Sequence, residues 1–385
     1  MAVKFFFKKT KPDFLHHNKV KLVRSGTSYF NLLLEMIDGA KESIHIQTYI
    51  FGDDQTGRTV ADALIRAAGR GVEVYVMVDA YGSQALSGSF IKRITDAGIY
   101  FRRFQPLFKS KRFYMGRRLH HKIVVVDSSR ATVAGLNIAD RYNDTPEEKA
   151  WLDFALYAEG EVAQELENIC VRRIKVRRRN HQTRRNGHHQ PPDVCPIRIR
   201  ENDWASRKRD IYQTYLEMFR NAKSHLTIMS AYFLPGRAFR KSIEGAAQRG
   251  VKIRVILTGY ADIPLIKYAE RYIYRWLFKN NIDVYEYNKT VLHAKLATAD
   301  SRILTVGSFN VNNLSAYGSI ECNLDVSDEK FVGSVEDQLD EIIEKDCTHI
   351  TEEDLRKRNV FAKIAHKVAY EVFRFMFFVS TKHPE

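Results

Sequence analysis

The sequence HHKIVVVDSSRATVAGLN at residues 120–137 returns later in the chain as HAKLATADSRILTVGSFN at residues 293–310. Both copies follow the pattern H-x-K-x4-D, and in both an asparagine stands 17 residues after the first histidine. A single copy is compatible with an ordinary strand that exposes a histidine and a lysine. Two copies with equal spacing indicate instead a duplicated fold in which the pattern has a chemical role.

The duplication extends beyond this pattern. Residues 57–78 align without gaps to residues 236–257, with eight identities in 22 positions, and residues 40–51 parallel residues 222–233. Each copy has a β-rich run, a helical stretch with apolar residues at helical spacing, a glycine turn and a second apolar run. Later strands follow in both halves. These patterns predict an α/β fold with helices flanking a mixed sheet in each half.

The predicted domain organisation follows from this repeat. It comprises an N-terminal basic and aromatic segment (residues 1–24), a first half (25–170), an arginine-rich linker (171–193), a second half (194–347) and a C-terminal amphipathic helix (348–385). The linker carries eight lysines or arginines within 15 residues. Such a run is typical of a solvated surface loop, and it also suits a patch that binds anionic lipid or nucleic acid. The sequence leaves both interpretations open.

The composition restricts the class of protein. The 385 residues exceed the size of one ordinary core, and 44% of them are hydrophobic, which excludes a mostly disordered chain. The net charge of +15 favours anionic partners. Four widely spaced cysteines predict neither a zinc cage nor a disulfide framework, so a reducing intracellular setting is expected. No stretch approaches the roughly 20 apolar residues that span a bilayer.

The residue types of the repeated pattern suit phosphoryl chemistry. Histidine and lysine two residues apart on a strand point to the same side of the sheet. Imidazole is a nucleophile and acid–base group near neutral pH, and an ammonium group can neutralise a phosphoryl oxygen without a metal. With two imidazoles, one can attack phosphorus to form a phosphohistidine while the other protonates the departing oxygen. No cofactor is expected. Metal binding by His120 and His121 is the alternative, but the second copy lacks a histidine pair.

The paired pattern resembles the phospholipase D superfamily, whose defining feature is a duplicated His-Lys-Asp motif. Further stretches are similar to the bacterial cardiolipin synthase branch, among them QTYIFGDDQTGRTVADALIRAAGRGVEVYVMVDAYGS at residues 47–83, WLDFALYAEG at residues 151–160 and SAYFLPG at residues 230–236. The resemblance covers roughly residues 25–345 and points to the short type without N-terminal transmembrane helices. It implies two α/β/α halves related by a pseudo-twofold axis, with both motifs in one shared active site.

The resemblance also implies roles for individual residues. His120 would be the nucleophile and His293 the general acid and base. The resemblance assigns the binding of phosphoryl oxygens to Lys122, Lys295, Asn137 and Asn310. The motif aspartates, Asp127 and Asp300, complete the catalytic set in a more structural role. An acidic residue further along orients each histidine, and the candidates are Asp153 in the first half and Glu321 in the second.

The C-terminal helix carries an apolar stripe with lysines and an arginine beside it. The stripe consists of Phe361, Ile364, Ala365, Val368, Val372, Phe375, Met376 and Val379. A basic amphipathic helix of this kind can lie in a membrane interface. Packing of the stripe on the core of the protein is the alternative.

The resemblance implies an enzyme that makes cardiolipin and glycerol from two phosphatidylglycerol molecules through a phosphohistidine. Its partners would be anionic phospholipid and a membrane surface, reached peripherally from the cytoplasmic side of the bacterial inner membrane, with no nucleic acid expected. Two alternatives use the same residues: a phospholipase D-type hydrolase that forms phosphatidic acid, and a nuclease of the superfamily. The sequence leaves the second lipid substrate and the oligomeric state open.

Overall fold

The computed structural model describes residues 14–105, 117–174, 194–357 and 359–381, with side chains described up to residue 376. The basic and aromatic run at the N-terminus and residues 175–193 of the predicted linker lie outside these ranges. The described residues form the following α-helices: α1 (Thr27–Asp38), α2 (Gln55–Gly69), α3 (Gly88–Asp96), α4 (Glu161–Ile174), α5 (Asp210–Asn221), α6 (Arg237–Gln248), α7 (Pro264–Lys279), α8 (Asn313–Tyr317), α9 (Glu329–Asp346), α10 (Glu352–Arg356) and α11 (Val360–Thr381).

The strands belong to two large sheets. They are β1 (Asn18–Arg24), β2 (Ser43–Thr48), β3 (Glu73–Asp79), β4 (Tyr100–Phe104), β5 (Arg118–Leu119), β6 (Lys122–Val126), β7 (Arg130–Ala134), β8 (Phe154–Gly160), β9 (Ile197–Asp203), β10 (Lys208–Arg209), β11 (His225–Ser230), β12 (Lys252–Thr258), β13 (Asp283–Tyr287), β14 (Lys295–Ala299), β15 (Ile303–Gly307), β16 (Ser319–Val326) and β17 (Cys347–Ile350).

The two sheets have the same strand order. The first is β1-β8-β7-β6-β2-β3-β4, and the second contains β9-β16-β15-β14-β11-β12-β13 with β10 and β17 added at its edges. Strands β2, β3 and β4 are parallel, as are β11, β12 and β13, whereas the pairs on the other side of β2 and β11 are antiparallel. The predicted duplicated α/β fold with mixed sheets is therefore confirmed.

The sheets extend beyond the boundaries predicted for the two halves. Residues 18–24 form β1, which pairs along its whole length with β8, so they belong to the first sheet and not to a separate N-terminal segment. Strand β17 pairs with β13 and extends the second sheet past residue 347. Strand β1 shows no apolar alternation in the sequence, because its only buried apolar positions, Leu22 and Val23, are adjacent and stand among charged residues.

The two halves share a hydrophobic core, and this positions the site. One cluster of buried side chains combines Ile123 and Val125 of β6 with Leu296 of β14, and it includes residues of α4 and α9. All five residues of β6 and all five of β14 are buried. The two motif strands therefore lie at the centre of the molecule, where the amino-terminal ends of both can reach a common site.

Candidate active site

Each motif histidine is held by the backbone of the other half. Strand β5, just before His120, pairs in parallel with the start of β16, and the N–H groups of His120 and His121 both donate to the carbonyl of Ile320 at 2.9 Å. In the second half, the N–H of His293 donates to the carbonyl of Leu152 at 2.7 Å. The residue after each of these carbonyls is therefore placed beside a histidine of the opposite half.

Those two following residues are the predicted acidic residues. Nδ1 of His120 lies 2.9 Å from Oε2 of Glu321, and Nδ1 of His293 lies 2.6 Å from Oδ2 of Asp153. The interpretation from sequence had associated each carboxylate with the histidine of its own half. The structure pairs them across the halves instead, because the backbone pairs described above join the segments crosswise.

One of the two carboxylates belongs to an aspartate and the other to a glutamate, and the residues that contact them also differ. A side chain at Gly135 would place its Cβ 2.2 Å from Oδ1 of Asp153, so the approach of this carboxylate requires glycine there. At the corresponding position of the second half, the hydroxyl of Ser308 donates to Oε2 of Glu321 at 2.5 Å. Each carboxylate is thus in contact with the segment that follows the second strand of the motif hairpin, β7 or β15, in its own half.

The motif lysines are buried next to the histidines. Nζ of Lys122 donates to the carbonyl of His120 at 2.6 Å, and Nζ of Lys295 donates to the carbonyl of His293 and lies 3.4 Å from Oδ2 of Asp153. Burial lowers the pKa of Lys122 to about 7, and the charge of Lys295 adds to the lowering. Burial also lowers the pKa of Lys295. Because one lysine depresses the pKa of the other, an anion bound between them would be stabilised by both.

Both histidines are biased towards the neutral form. Burial lowers the pKa of His120, although Glu321 opposes this effect, and burial with the charge of Lys295 holds the pKa of His293 well below its ordinary value. A neutral imidazole that donates from Nδ1 to a carboxylate carries its lone pair on Nε2. The His120 side chain is 19% exposed and that of His293 is 8% exposed. The more accessible ring is therefore that of His120.

The motif aspartates lie away from this chemistry. Asp127 and Asp300 follow the far ends of β6 and β14, five residues and roughly 16 Å along the strand from the motif lysines. Both have φ near +53°, at 52° and 54°, and each carboxylate accepts backbone N–H groups from the start of the neighbouring strand. In the structure they fasten the hairpin turn after each motif strand, as the more structural role expected of them requires, and their place in the catalytic set stays a prediction.

Replacing Asp300 with alanine is expected to lower the free energy of unfolding by about 1–3 kcal/mol, because three backbone N–H groups lose their acceptor. The turnover per folded molecule should stay within about threefold of the original, since the site is at the other end of the strand. Urea titration and initial rates at matched folded fraction measure the two effects. Asp337→Ala, on an exposed part of α9, is the control. A loss of turnover without a loss of stability would instead indicate a direct role of Asp300 in catalysis.

The two predicted asparagines have different surroundings. The amide of Asn137 accepts from the N–H of Ile50 at 3.0 Å and donates to the hydroxyl of Tyr142 at 2.9 Å, and that hydroxyl lies 3.5 Å from Nε2 of His293. The side-chain oxygen of Asn310 is buried and has no hydrogen-bond partner among the described residues. Tyr142 thus connects Asn137 to His293, and the binding of phosphoryl oxygens by either asparagine stays a prediction.

Aromatic rings that the sequence analysis did not select surround the histidines. The ring of Tyr49 packs against His120 with 5.2 Å between centroids, and Tyr142, Trp151 and Tyr232 lie 5.1, 6.0 and 6.3 Å from His293. Tyr49 and Tyr232 lie within the paired stretches at residues 40–51 and 222–233. The position of these tyrosines, at the carboxyl ends of β2 and β11 beside the motif strands, was the signal available in the sequence.

The ends of two further strands hold the segments that lead into the motifs. Oδ2 of Asp79, at the end of β3, accepts from the N–H of Leu119 at 2.8 Å. At the matching end of β12, the hydroxyl of Thr258 accepts from the N–H of Leu292 at 3.3 Å. Both leucines directly precede a motif histidine, so these contacts fix the direction from which each histidine enters the site.

The two adjacent histidines of the first motif contact different residues. Nε2 of His121 lies 2.9 Å from Oε1 of Gln47 in the buried interior, whereas His120 contacts Glu321. Neighbouring residues of an extended segment point to opposite sides, which separates the two rings. Within the described parts of the chain, no group of three His, Cys, Asp or Glu residues could hold a metal ion.

Comparison with known proteins agrees with this geometry. A family model described as "Cardiolipin synthase, PLD-like domain" matches residues 33–172 and 215–343, which include both motifs. The chain belongs to this cardiolipin synthase family. Cardiolipin synthase B of Escherichia coli (strain K12) is 34% identical over 367 residues, which cover 93% of this chain and 88% of the relative. A cardiolipin synthase of Oceanobacillus iheyensis is 26% identical over 359 residues, covering 92% and 75%.

A solved structure shows the same fold at lower identity. The phosphatidylserine synthase of Haemophilus influenzae Rd KW20 superposes with a TM-score of 0.77 at 16% identity, over 96% of this chain and 97% of that one. The predicted resemblance to cardiolipin synthases within the phospholipase D superfamily, and with it the class of phosphatidyltransferase, is confirmed. Membership of the cardiolipin synthase family implies a phospholipid substrate. Among the described residues, no helix combines the length and the apolar character needed to cross a membrane.

Proposed function

We propose that the protein transfers the phosphatidyl group of one phosphatidylglycerol to the hydroxyl of a second, with cardiolipin and glycerol as products. The observation that carries the proposal is the pair of imidazole–carboxylate contacts built across the two halves, at 2.9 and 2.6 Å, with a buried lysine beside each histidine. This arrangement supplies two imidazoles for a two-step displacement at phosphorus.

In the first step, Nε2 of His120 attacks the phosphorus of the donor lipid. The bond from phosphorus to the glycerol oxygen breaks, and this oxygen takes a proton from Nε2 of His293. The phosphorylated ring of His120 is cationic, because Nδ1 keeps its proton, and Glu321 stabilises that charge. The products of this step are free glycerol, neutral His293 and a phosphatidyl group linked to His120.

In the second step, His293 acts as a base. It removes the proton from the hydroxyl of the acceptor lipid, whose oxygen attacks phosphorus while the bond to Nε2 of His120 breaks. Cardiolipin leaves, His120 returns to the neutral form, and His293 holds the proton needed for the next cycle. Asp153 stabilises the imidazolium of His293 in this state.

The charges of the site fit an anionic substrate. Without an anion, burial and the neighbouring lysines lower the pKa of His293 well below its ordinary value. A phosphodiester placed between Lys122 and Lys295 adds a negative charge, which raises the pKa of both lysines and of His293. Substrate binding therefore favours the protonated His293 that the first step requires, and the neutral His120 of the free site is suited to attack.

The proposal places the enzyme peripherally at the cytoplasmic side of the bacterial inner membrane. The net charge of +15 supports this position, since the cytoplasmic leaflet has a negative surface potential that attracts lysine and arginine.

Incubation of the purified protein with phosphatidylglycerol liposomes, without added metal, tests the proposal. We expect cardiolipin and glycerol in equal amounts when the lipids are resolved by mass spectrometry and the glycerol is assayed enzymatically. Phosphatidic acid as the sole new lipid would identify the protein as a hydrolase. Absence of lipid turnover, with cleavage of single-stranded DNA instead, would replace the proposal by the nuclease alternative.

A further inference from the structure

The helix α11 has two apolar faces, and only one of them packs on the protein. His366, Ala369, Tyr370 and Phe373 are buried, and the ring of Tyr370 stacks on Tyr272 of α7 with 4.8 Å between centroids. The predicted stripe lies on a different side of the helix. Its members Phe361, Ile364, Val368, Val372, Phe375 and Met376 are exposed, up to 82% for Phe361.

The alternative in which the stripe packs on the core is therefore wrong for these side chains, and Val379 lies beyond the described side chains. Since α11 is already attached to the fold by its other face, the stripe is not needed for docking the helix. A row of exposed large apolar side chains costs solubility, which indicates that it has a partner.

Exposed apolar side chains also occur on α7, the helix on which α11 packs. Leu265, Tyr268 and Tyr272 recur at helical spacing along this helix and are 41%, 44% and 37% exposed. The rings of Tyr268 and His366 lie 5.5 Å apart, so this face of α7 runs directly alongside α11. We call the three residues of α7 together with the six of α11 the α7–α11 surface.

The loop that precedes α7 reaches the active site. Residues 259–263 join β12 to α7, and they include Ile263, which is 43% exposed, and Asp262. The carboxylate of Asp262 accepts from the hydroxyl of Tyr232 at 2.7 Å, and the ring of Tyr232 packs against His293. One tyrosine thus separates the catalytic histidine from the loop that leads into the α7–α11 surface.

The first half has a related feature. Tyr81 follows β3 as Tyr260 follows β12, at equivalent positions of the repeat, and the two side chains are 50% and 59% exposed. Tyrosine is favoured where one end of a side chain meets an apolar phase and the other meets water. The loops after β3 and β12 therefore both carry a side chain suited to the boundary between lipid and water.

The charges beside the stripe identify the partner. Lys363, Lys367 and Arg374 are exposed on α11 to one side of the stripe, and Arg374 pairs there with Glu371 at 2.9 Å. Two copies of the chain joined through this face would bring these cations together, whereas an anionic lipid surface attracts them. We propose that the α7–α11 surface lies in the interface of an anionic phospholipid bilayer and brings the mouth of the active site to its lipid. The inference rests on the proposed function for the identity of that lipid as substrate.

The test compares two variants of the full chain. F361S/F375S removes two exposed rings from the α7–α11 surface, and Y100S/V194S removes two apolar side chains of 41% and 60% exposure elsewhere. Flotation with vesicles of phosphatidylglycerol and phosphatidylcholine measures binding. We expect the first variant to bind about 100-fold more weakly, because two large apolar side chains no longer enter the interface. The second variant should bind like the original protein.

Turnover of a short-chain phosphatidylglycerol below its micellar concentration gives the second measurement. Both variants should retain it, since this substrate reaches the site without a bilayer. Unchanged vesicle binding by F361S/F375S would overturn the inference, and so would a dimer in the original protein that this variant alone dissociates. Specific loss of vesicle binding in a protein that turns over no phosphodiester would support the surface and reject the proposed function, so the two failures are distinguishable.

Discussion

Replacement of His120 by asparagine is expected to slow phosphatidyl transfer by about 10⁴-fold or more, because it removes the atom that attacks phosphorus. The asparagine amide can still donate to Glu321, so the thermal midpoint should stay close to that of the original protein. His349→Ala is the matched control, because this histidine is 51% exposed on β17 and pairs with Asp283. The control should transfer phosphatidyl groups at the original rate.

A substrate with an activated leaving group separates the roles of the two histidines. A phosphatidyl ester of p-nitrophenol releases a phenolate that needs no proton, so His293→Asn should still form the bond between His120 and phosphorus. We expect a burst of one phenolate per enzyme and an intact protein mass increased by one phosphatidyl group. His120→Asn should give neither. An adduct in His120→Asn but not in His293→Asn would reverse the assignment, and an adduct in both would reject a histidine nucleophile at these positions.

The repeat made the fold accessible to sequence analysis. The equal spacing of the two motifs and the alignment of residues 57–78 with residues 236–257 predicted two α/β halves, and seven strands in the same order confirm them. These features are local: each motif is a single strand, and its register follows from alternation along that strand. Strand β1 was not predicted, because only two of its seven positions are both apolar and buried.

The crossed pairing of histidines and carboxylates could not be predicted in the same way. Glu321 and His120 are 201 residues apart in the sequence. The backbone contact at Ile320 that brings them together has no identifying sequence pattern. The sequence identified both carboxylates as candidates, but the choice of partner depends on how the halves dock. The stripe of α11 shows a similar limit. Helical periodicity identified an apolar face of α11. Which face of α11 packs on the protein depends on its contacts with the rings of α7.

Asp153→Asn and Glu321→Gln are expected to slow transfer by about 10²- to 10⁴-fold each, because an amide neither fixes the tautomer of its histidine nor stabilises the imidazolium. Burial raises the pKa of Asp153 to about 6. Since the ionised carboxylate is the form that stabilises protonated His293, transfer by the original protein should decline as the pH falls through about 6. This decline should be absent from the low rate of Asp153→Asn.

The two carboxylate variants also test which histidine each one supports. In the crossed arrangement Glu321 serves the nucleophile, so Glu321→Gln should slow the phenolate burst from the activated ester. Asp153 serves the acid and base, and the burst needs no acid, so Asp153→Asn should keep the original burst rate and accumulate the phosphatidyl adduct on His120. Pairing within each half would give the opposite result, with a slow burst in Asp153→Asn and a normal one in Glu321→Gln. Burst rates therefore determine whether catalysis depends on both halves at each histidine, as the distances of 2.9 and 2.6 Å indicate.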